Sequence, residues 1–150
     1  MLAACVTGHR RLAYPGWVMS ALKTELERAL AEGYGCFYTG MAPGADRMAA
    51  KLLLGRARVV AVVPCQDFDR FWPEGERQEY EELVRQVDEV VFYPGGRYER
   101  WKPLARNRWM VERSGLVIAV YDGRRHGGTW YTVRYARQRG VPVRFVPVHP

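Results

Sequence analysis

The sequence predicts an α/β fold: a single doubly wound, Rossmann-like domain over residues 1–150, with a mostly parallel sheet of about six strands. Three observations lead there. Six short apolar runs recur along the chain, separated by stretches of helical character. Strands that are apolar throughout belong to parallel sheets covered on both faces, and the strand–helix–strand crossovers between them are right-handed. The length of 150 residues lies within the roughly 100–200 of one domain and is enough to bury a core without a disulfide or metal staple.

The elements follow in order. Leu2–Thr7 is an apolar run halted at Gly8, as a buried strand ending in a tight turn would be. From Trp17 to Leu30, Val18, Leu22, Leu26 and Leu30 recur every four residues, one face of an amphipathic helix closed by Gly33. Cys36–Thr39 is the second strand, and Gly40-Met41-Ala42-Pro43-Gly44 leads from it into the Ala-rich helix Ala45–Leu54. Val59–Val63, stopped by Pro64, is the third strand. Glu76–Val87 alternates charge with Tyr80, Leu83, Val84 and Val87 on one side, so it is an exposed helix. Glu89–Tyr93 is the fourth strand, and Leu104–Arg113 a helix with Trp109 and Met110 turned inward. Leu116–Tyr121, the helix Trp130–Arg139 closed by Gly140, and the strand Val143–Val146 complete the chain. No repeat, linker or low-complexity segment interrupts them.

Composition narrows the class. With 48% hydrophobic and 26% charged residues, the chain is neither disordered nor fibrous. No apolar run approaches the roughly 18–20 residues of a membrane span, and Met1–Cys5 lacks a basic stretch before its apolar one, so a cytoplasmic protein without a membrane partner is expected. Cys5, Cys36 and Cys65 are odd in number and lack C-x-x-C spacing, which suits buried thiols in a reducing compartment. The formal charge is +7, and 20 of the 23 basic residues are Arg; Arg suits bidentate phosphate and carboxylate partners, although codon usage accounts for such a bias equally well. Residues 67–89 hold nine acids against three bases, whereas residues 97–144 hold twelve bases against three acids. A basic C-terminal half attracts phosphates, nucleic acid or an acidic partner.

In doubly wound sheets the ligand lies beyond the carboxyl ends of the strands, and three glycine turns fall there. Gly8-His9-Arg10 follows the first strand, where the glycine allows a tight turn and the basic pair can meet a phosphate. Gly40, Met41, Ala42 and Gly44 precede the second helix, so that backbone N–H groups can face an anion at its positive end. Asp46, in that helix's first turn, also complements the helix dipole. Asp122 and then Gly127-Gly128-Thr129 follow the fifth strand, and the Gly-Gly-Thr opens the last helix, where unpaired N–H groups and the hydroxyl can hold phosphate. The dinucleotide G-x-G-x-x-G, the P-loop Lys, H-E-x-x-H and G-x-S-x-G are all absent. His9, His126 and His149 are scattered, so neither a metal site nor a cofactor is expected.

Taken together, Thr7-Gly8-His9-Arg10, Thr39–Asp46 with Ala49-Ala50, Arg106–Val111, Ala119–Gly123 and Gly127-Gly128-Thr129 resemble the YpsA-like branch of the SLOG superfamily, over nearly the whole chain. The resemblance implies a Rossmann-like sheet and a nucleotide or nucleotide-derived ligand. Relatives in the superfamily include lysine-decarboxylase-like phosphoribohydrolases, which release the base from a nucleoside 5′-monophosphate, and DNA-processing proteins that load recombinase on single strands. By this resemblance Gly127, Gly128 and Thr129 match the phosphate turn of the hydrolases' P-G-G-x-G-T-x-x-E motif, and Arg106 matches the Arg before their Met-containing helix. Two departures stand out. Tyr121-Asp122-Gly123 and a longer basic loop replace the first Pro-Gly-Gly, and the Glu position falls on or near Thr132, with no acid from Gly123 to Pro150.

Three functions compete. The first is a nucleotide-binding or nucleotide-sensing module, with phosphate at Gly127–Thr129 and Gly40–Gly44 and a base on Trp109 or Tyr121; Trp109, within a helical stripe, reads first as core. The second is an N-glycosidase with Arg106 and Asp46 as candidate catalytic residues. The third is a single-strand nucleic-acid binder using Arg97, Arg100, Lys102, Arg124 and Arg125. Nucleic acid and a second copy of the chain both remain open as partners.

Overall fold

Eleven elements alternate without exception: β1 (Leu2–Gly8), α1 (Pro15–Ala31), β2 (Tyr34–Thr39), α2 (Ala45–Leu53), β3 (Arg58–Val63), α3 (Glu74–Gln86), β4 (Glu89–Phe92), α4 (Lys102–Glu112), β5 (Leu116–Val120), α5 (Gly128–Gln138) and β6 (Val143–Val146). The computed structural model describes all 150 residues. One sheet takes in every strand in the order β4-β3-β2-β1-β5-β6, and each neighbouring pair is parallel. The predicted elements are all present, with shifted ends. Helix α1 starts at Pro15, two residues before the expected Trp17, because a proline's fixed φ and missing N–H suit a first helical turn. Helix α5 begins at Gly128, two residues before the expected Trp130, so Gly128 and Thr129 of the segment expected to open it are its first residues.

Period-two alternation divides the strands between two cores. Ala4 and Val6, Val59, Ala61 and Val63, and Leu116, Ile118 and Val120 face α1, α2 and α3 in a cluster of 25 buried residues. Cys5, Val60, Val62 and Val117 face α4 and α5 in a second cluster of only 8, with Met110, Val111 and Ala136. Side chains that alternate across a strand in this way explain why the strands show no polar face in the sequence.

The chain builds outward from β1 through β2 and β3 to β4, then returns along α4 to the other side of β1, where β5 pairs with it from Ala4–Leu116 to Gly8–Val120. The connections after β1 and β5 therefore diverge to opposite faces, the switch point at which such sheets open a crevice. Gly8 is required where that crevice begins. A Cβ there would lie 2.5 Å from the Ala45 Cβ and 2.7 Å from the Val120 Cβ.

Candidate functional site

A cleft of about 500 Å³ opens at this switch point, within the roughly 300–1,000 Å³ of small-molecule sites. The turn after β1 supplies Gly8, His9, Arg10 and Arg11; the start of α2 supplies Ala42 and Asp46; α4 supplies Arg106 and Asn107; and the start of α5 supplies Gly127, Gly128 and Thr129.

One wall is buried and closed on itself. Arg106 is 3% exposed; its Nη1 donates to the carbonyls of Gly40 at 2.6 Å and Val62 at 2.7 Å, and its Nε to Asn107 Oδ1 at 2.7 Å. The guanidinium lies so close to the β2 turn that a Cβ on residue 40 would fall 2.6 Å from its Cζ and 2.9 Å from Asp46 Oδ2, so only glycine fits. Asn107 in turn donates to Thr132 Oγ1 at 2.9 Å, and that hydroxyl donates to the Gly128 carbonyl at 2.8 Å. Asp46, also buried, accepts the Ala42 N–H at 3.2 Å. Burial pushes its carboxyl up to about 6, against the pull of Arg106 and the Ala42 N–H. Burial likewise lowers Arg106 to about 10, with Asp46 opposing. At neutral pH the wall still carries a cation, and beside it an acid that titrates near neutrality.

The facing wall is open. Gly127, at φ +91°, provides α5 with no side-chain cap. No carbonyl accepts the N–H of Gly128, Thr129 or Trp130; the first bond of the helix runs from Tyr131 to Gly127. These orphan donors and the positive end of the helix face the cleft, an arrangement suited to an anion. The cleft cations Arg10 and Arg11 have no ion-pair partner, and His126 lines the cleft beside them. His9 is braced: its Nε2 accepts the Asp122 N–H at 3.2 Å, and burial lowers its pKa while Asp122 opposes. Asp122 is tied to Arg124, whose hydrogen bonds hold its carboxyl well below the usual range.

Of the residues expected from sequence, Gly8, His9, Arg10, Ala42, Asp46, Arg106, Gly127, Gly128 and Thr129 line the cleft. Gly40, Met41, Gly44 and Asp122 do not; they stand behind it. Gly40 receives Arg106, the Met41 side chain is fully buried in the larger core, and Gly44 packs against the His9 and Arg10 carbonyls. Two N–H groups of that segment are engaged, Ala42 by Asp46 and Ala45 by the His9 carbonyl. Neither ring expected to carry a base reaches the cleft. Trp109 packs edge-on against Tyr38, with Arg113 over its face, and Tyr121 stacks between His9 and Phe145. Lys102 is buried and bonded to the carbonyls of Gly95 and Arg97, so it is not a surface cation. Sequence reasoning missed Thr7, Arg11, Asn107 and His126 among the lining residues. Asn107 lies in a quoted motif, and its place after Arg106 was the signal available.

No helix is long and apolar enough to cross a membrane, and no three His, Cys, Asp or Glu side chains gather as metal ligands.

Several known proteins are similar to this chain. A UPF0398 protein of Bacillus thuringiensis (strain Al Hakam) is 27% identical over 84 residues, which is 55% of this chain and 46% of that protein. A UPF0398 protein of Bacillus cereus (strain B4264) matches to the same extent, so the alignment spans less than half the length of these curated relatives. Among solved structures, DNA processing protein A from Helicobacter pylori, described for its single-stranded DNA binding mode, superposes with a TM-score of 0.71 at 23% identity, over 96% of this chain and 64% of that one. DNA processing protein A from Streptococcus pneumoniae gives 0.70 at 21%, over 97% and 50%. The molybdenum cofactor binding protein of Rippkaea orientalis gives 0.66 at 22%, over 97% and 76%. These three share the fold. The family model described as the YspA SLOG family matches residues 13–145, from the residues after the first glycine turn to the last strand, and the chain belongs to that family.

Proposed function

We propose that this protein binds a nucleotide or nucleotide-derived small molecule, holding its phosphate at Gly127–Thr129. The observation that carries the reading is the uncapped start of α5, with three N–H groups lacking acceptors, opening into a cleft that also holds the unpaired Arg10 and Arg11, with His126 beside them. Arg106 supplies a fixed buried cation beside it. Fold neighbours that bind single-stranded DNA and a molybdenum cofactor are compatible with such a crevice. The three buried free thiols suit the cytoplasm, where we place the protein. A thermal-shift screen over nucleotides tests the proposal. A ligand at about 100 times its Kd adds roughly 2.7 kcal/mol, several degrees at this size. Gly128→Val should abolish the shift, because a β-branched side chain there crowds the N–H cradle; its Cβ otherwise meets only Leu104 Cδ2 at 4.0 Å. An undiminished shift in that variant refutes the site. A steep loss of affinity with salt would instead indicate contact with many phosphates of a strand.

A second reading, N-glycosidase action on a nucleoside 5′-monophosphate, is favoured by one observation: Asp46 lies in the cleft with its carboxyl pushed up to about 6, the range of a general acid. Against it, the resemblance puts the Glu of the hydrolase motif on or near Thr132, whose hydroxyl is engaged by Asn107 and Gly128. Loss of one charge-stabilising group costs about 10²–10³ in rate elsewhere. The expected outcome is binding without turnover. Free base released at about 1 per second or faster, and lost in Asp46→Asn, would establish the enzyme instead.

A further inference from the structure

With Trp109 and Tyr121 both turned away from the cleft, a bound nucleotide lacks a ring on which to place its base. A second hollow supplies one. It measures about 180 Å³ and shares Arg10 and Pro103 with the main cleft. That volume is below the roughly 300 Å³ of a complete ligand site, so it is the size of a subsite for one ring system. Its remaining lining is Phe68, Arg70, Phe71, Trp72 and Tyr98.

The rings are set in two loops that brace each other. Tyr98 N–H donates to Asp67 Oδ1 at 2.8 Å, and Gln66 N–H donates to the Gly96 carbonyl at 2.9 Å, joining the segment after β3 to the segment after β4. Phe68 and Trp72 pack edge-on at 4.8 Å and are anchored on Tyr80 of α3. On this base sit two large apolar side chains that the fold leaves uncovered, Phe71 at 84% and Tyr98 at 39% exposure. The Arg70 guanidinium lies over both, at 4.6 Å from Phe71 and 4.2 Å from Tyr98. Two exposed rings and a planar cation in one hollow form a stacking surface whose edges carry N–H donors, as recognition of a flat heteroaromatic ring requires.

We infer that this hollow is the base-binding subsite of the same ligand: a nucleobase stacks on Arg70, Phe71 and Tyr98 while its phosphate reaches α5, and Arg10 spans the two compartments. The inference rests on the nucleotide-binding reading above and adds that the ligand keeps its base when bound.

Isothermal titration of the full chain with the four nucleoside 5′-monophosphates, and with ribose 5-phosphate as the ligand without a base, tests it. At least one nucleotide should bind about tenfold or more tightly than ribose 5-phosphate, and Phe71→Ala or Tyr98→Ala should erase that difference while moving ribose 5-phosphate less than about twofold. Phe71 is so exposed that its truncation leaves the fold intact. Equal affinity for nucleotide and ribose 5-phosphate, or a difference that survives both variants, overturns the subsite and leaves the phosphate site standing. Failure of every one of these ligands to bind the unaltered protein overturns both. A thymidine oligonucleotide that binds where no mononucleotide does, and weakens in Phe71→Ala, shows that the surface reads a strand and also overturns the inference.

Discussion

The two walls of the cleft use hydrogen bonds in opposite ways. On the α4 side, Arg106, Asn107 and Thr132 form a continuous relay to the Gly128 carbonyl. On the α5 side, the first N–H groups of the helix have no acceptor. Buried polar groups are costly unless paired, so completing the closed wall contributes to the stability of the fold. Orphan donors at an open helix end are satisfied by water or a ligand, so the other wall contributes little to folding and is free to serve binding. The difference separates residues that hold the cleft in place from residues that meet what enters it.

Substitutions on the two walls should therefore divide cleanly by readout. The largest effect is expected from Arg106→Leu, which leaves the Gly40 and Val62 carbonyls and the buried Asp46 without their cation. Breaking a buried charged network by removing one partner costs about 3–5 kcal/mol, or roughly 10 °C in Tm at this length. Calorimetry showing a Tm within about 2 °C of the parent would mean that the closed wall is dispensable, and the contrast would collapse.

Next is the pH dependence of Asp46. Its folded pKa, about 6, lies above the ordinary 3.8, so the native state binds the proton more tightly than the unfolded chain. That contribution favours the fold below about pH 4 and is lost as pH rises through about 6. A shift of about two units is worth about 3 kcal/mol. Asp46→Asn, which retains an oxygen for the Ala42 N–H, should gain up to that much over the parent between about pH 4 and pH 7. Urea unfolding at both pH values measures it; a difference that stays constant with pH would place the Asp46 carboxylate in contact with water.

The smallest stability effect belongs to the open wall. Gly128→Val, which should abolish binding, is expected to change unfolding free energy by less than about 1 kcal/mol, since its Cβ meets little and its helix propensity is close to that of glycine. A large destabilisation there would show that both walls are structural.

Element order and type were legible because period and turn chemistry are local. Val18, Leu22 and Leu26 mark α1 whatever else the chain does, and Gly8, Gly40 and Gly127 mark the three strand ends. Who meets whom across the fold was not legible. Arg106 bonds to carbonyls 66 and 44 residues away, and no spacing rule reaches that far. The glycine-rich turn after β2 shows the limit most plainly: it looks like an anion cradle, yet its Ala42 N–H is engaged by Asp46 and its Gly40 is the seat of a guanidinium. The aromatic hollow was invisible for a different reason. Phe68, Phe71, Trp72 and Tyr98 lie in two irregular loops, and hydrogen bonds between those loops, Tyr98 N–H to Asp67 and Gln66 N–H to Gly96, bring them together.

The pairing of β1 with β5 has a kinetic consequence. Strands β1 to β4 are laid down side by side in chain order, each able to dock as it leaves the ribosome. The slot on the other side of β1 is filled only when β5 arrives more than a hundred residues later, a closure of high contact order. Until then Gly8 and His9 face an empty edge, and α5, with its uncapped start, has yet to be synthesised. The cleft is thus completed in one late step, once β5 has paired with β1 and α5 has followed it.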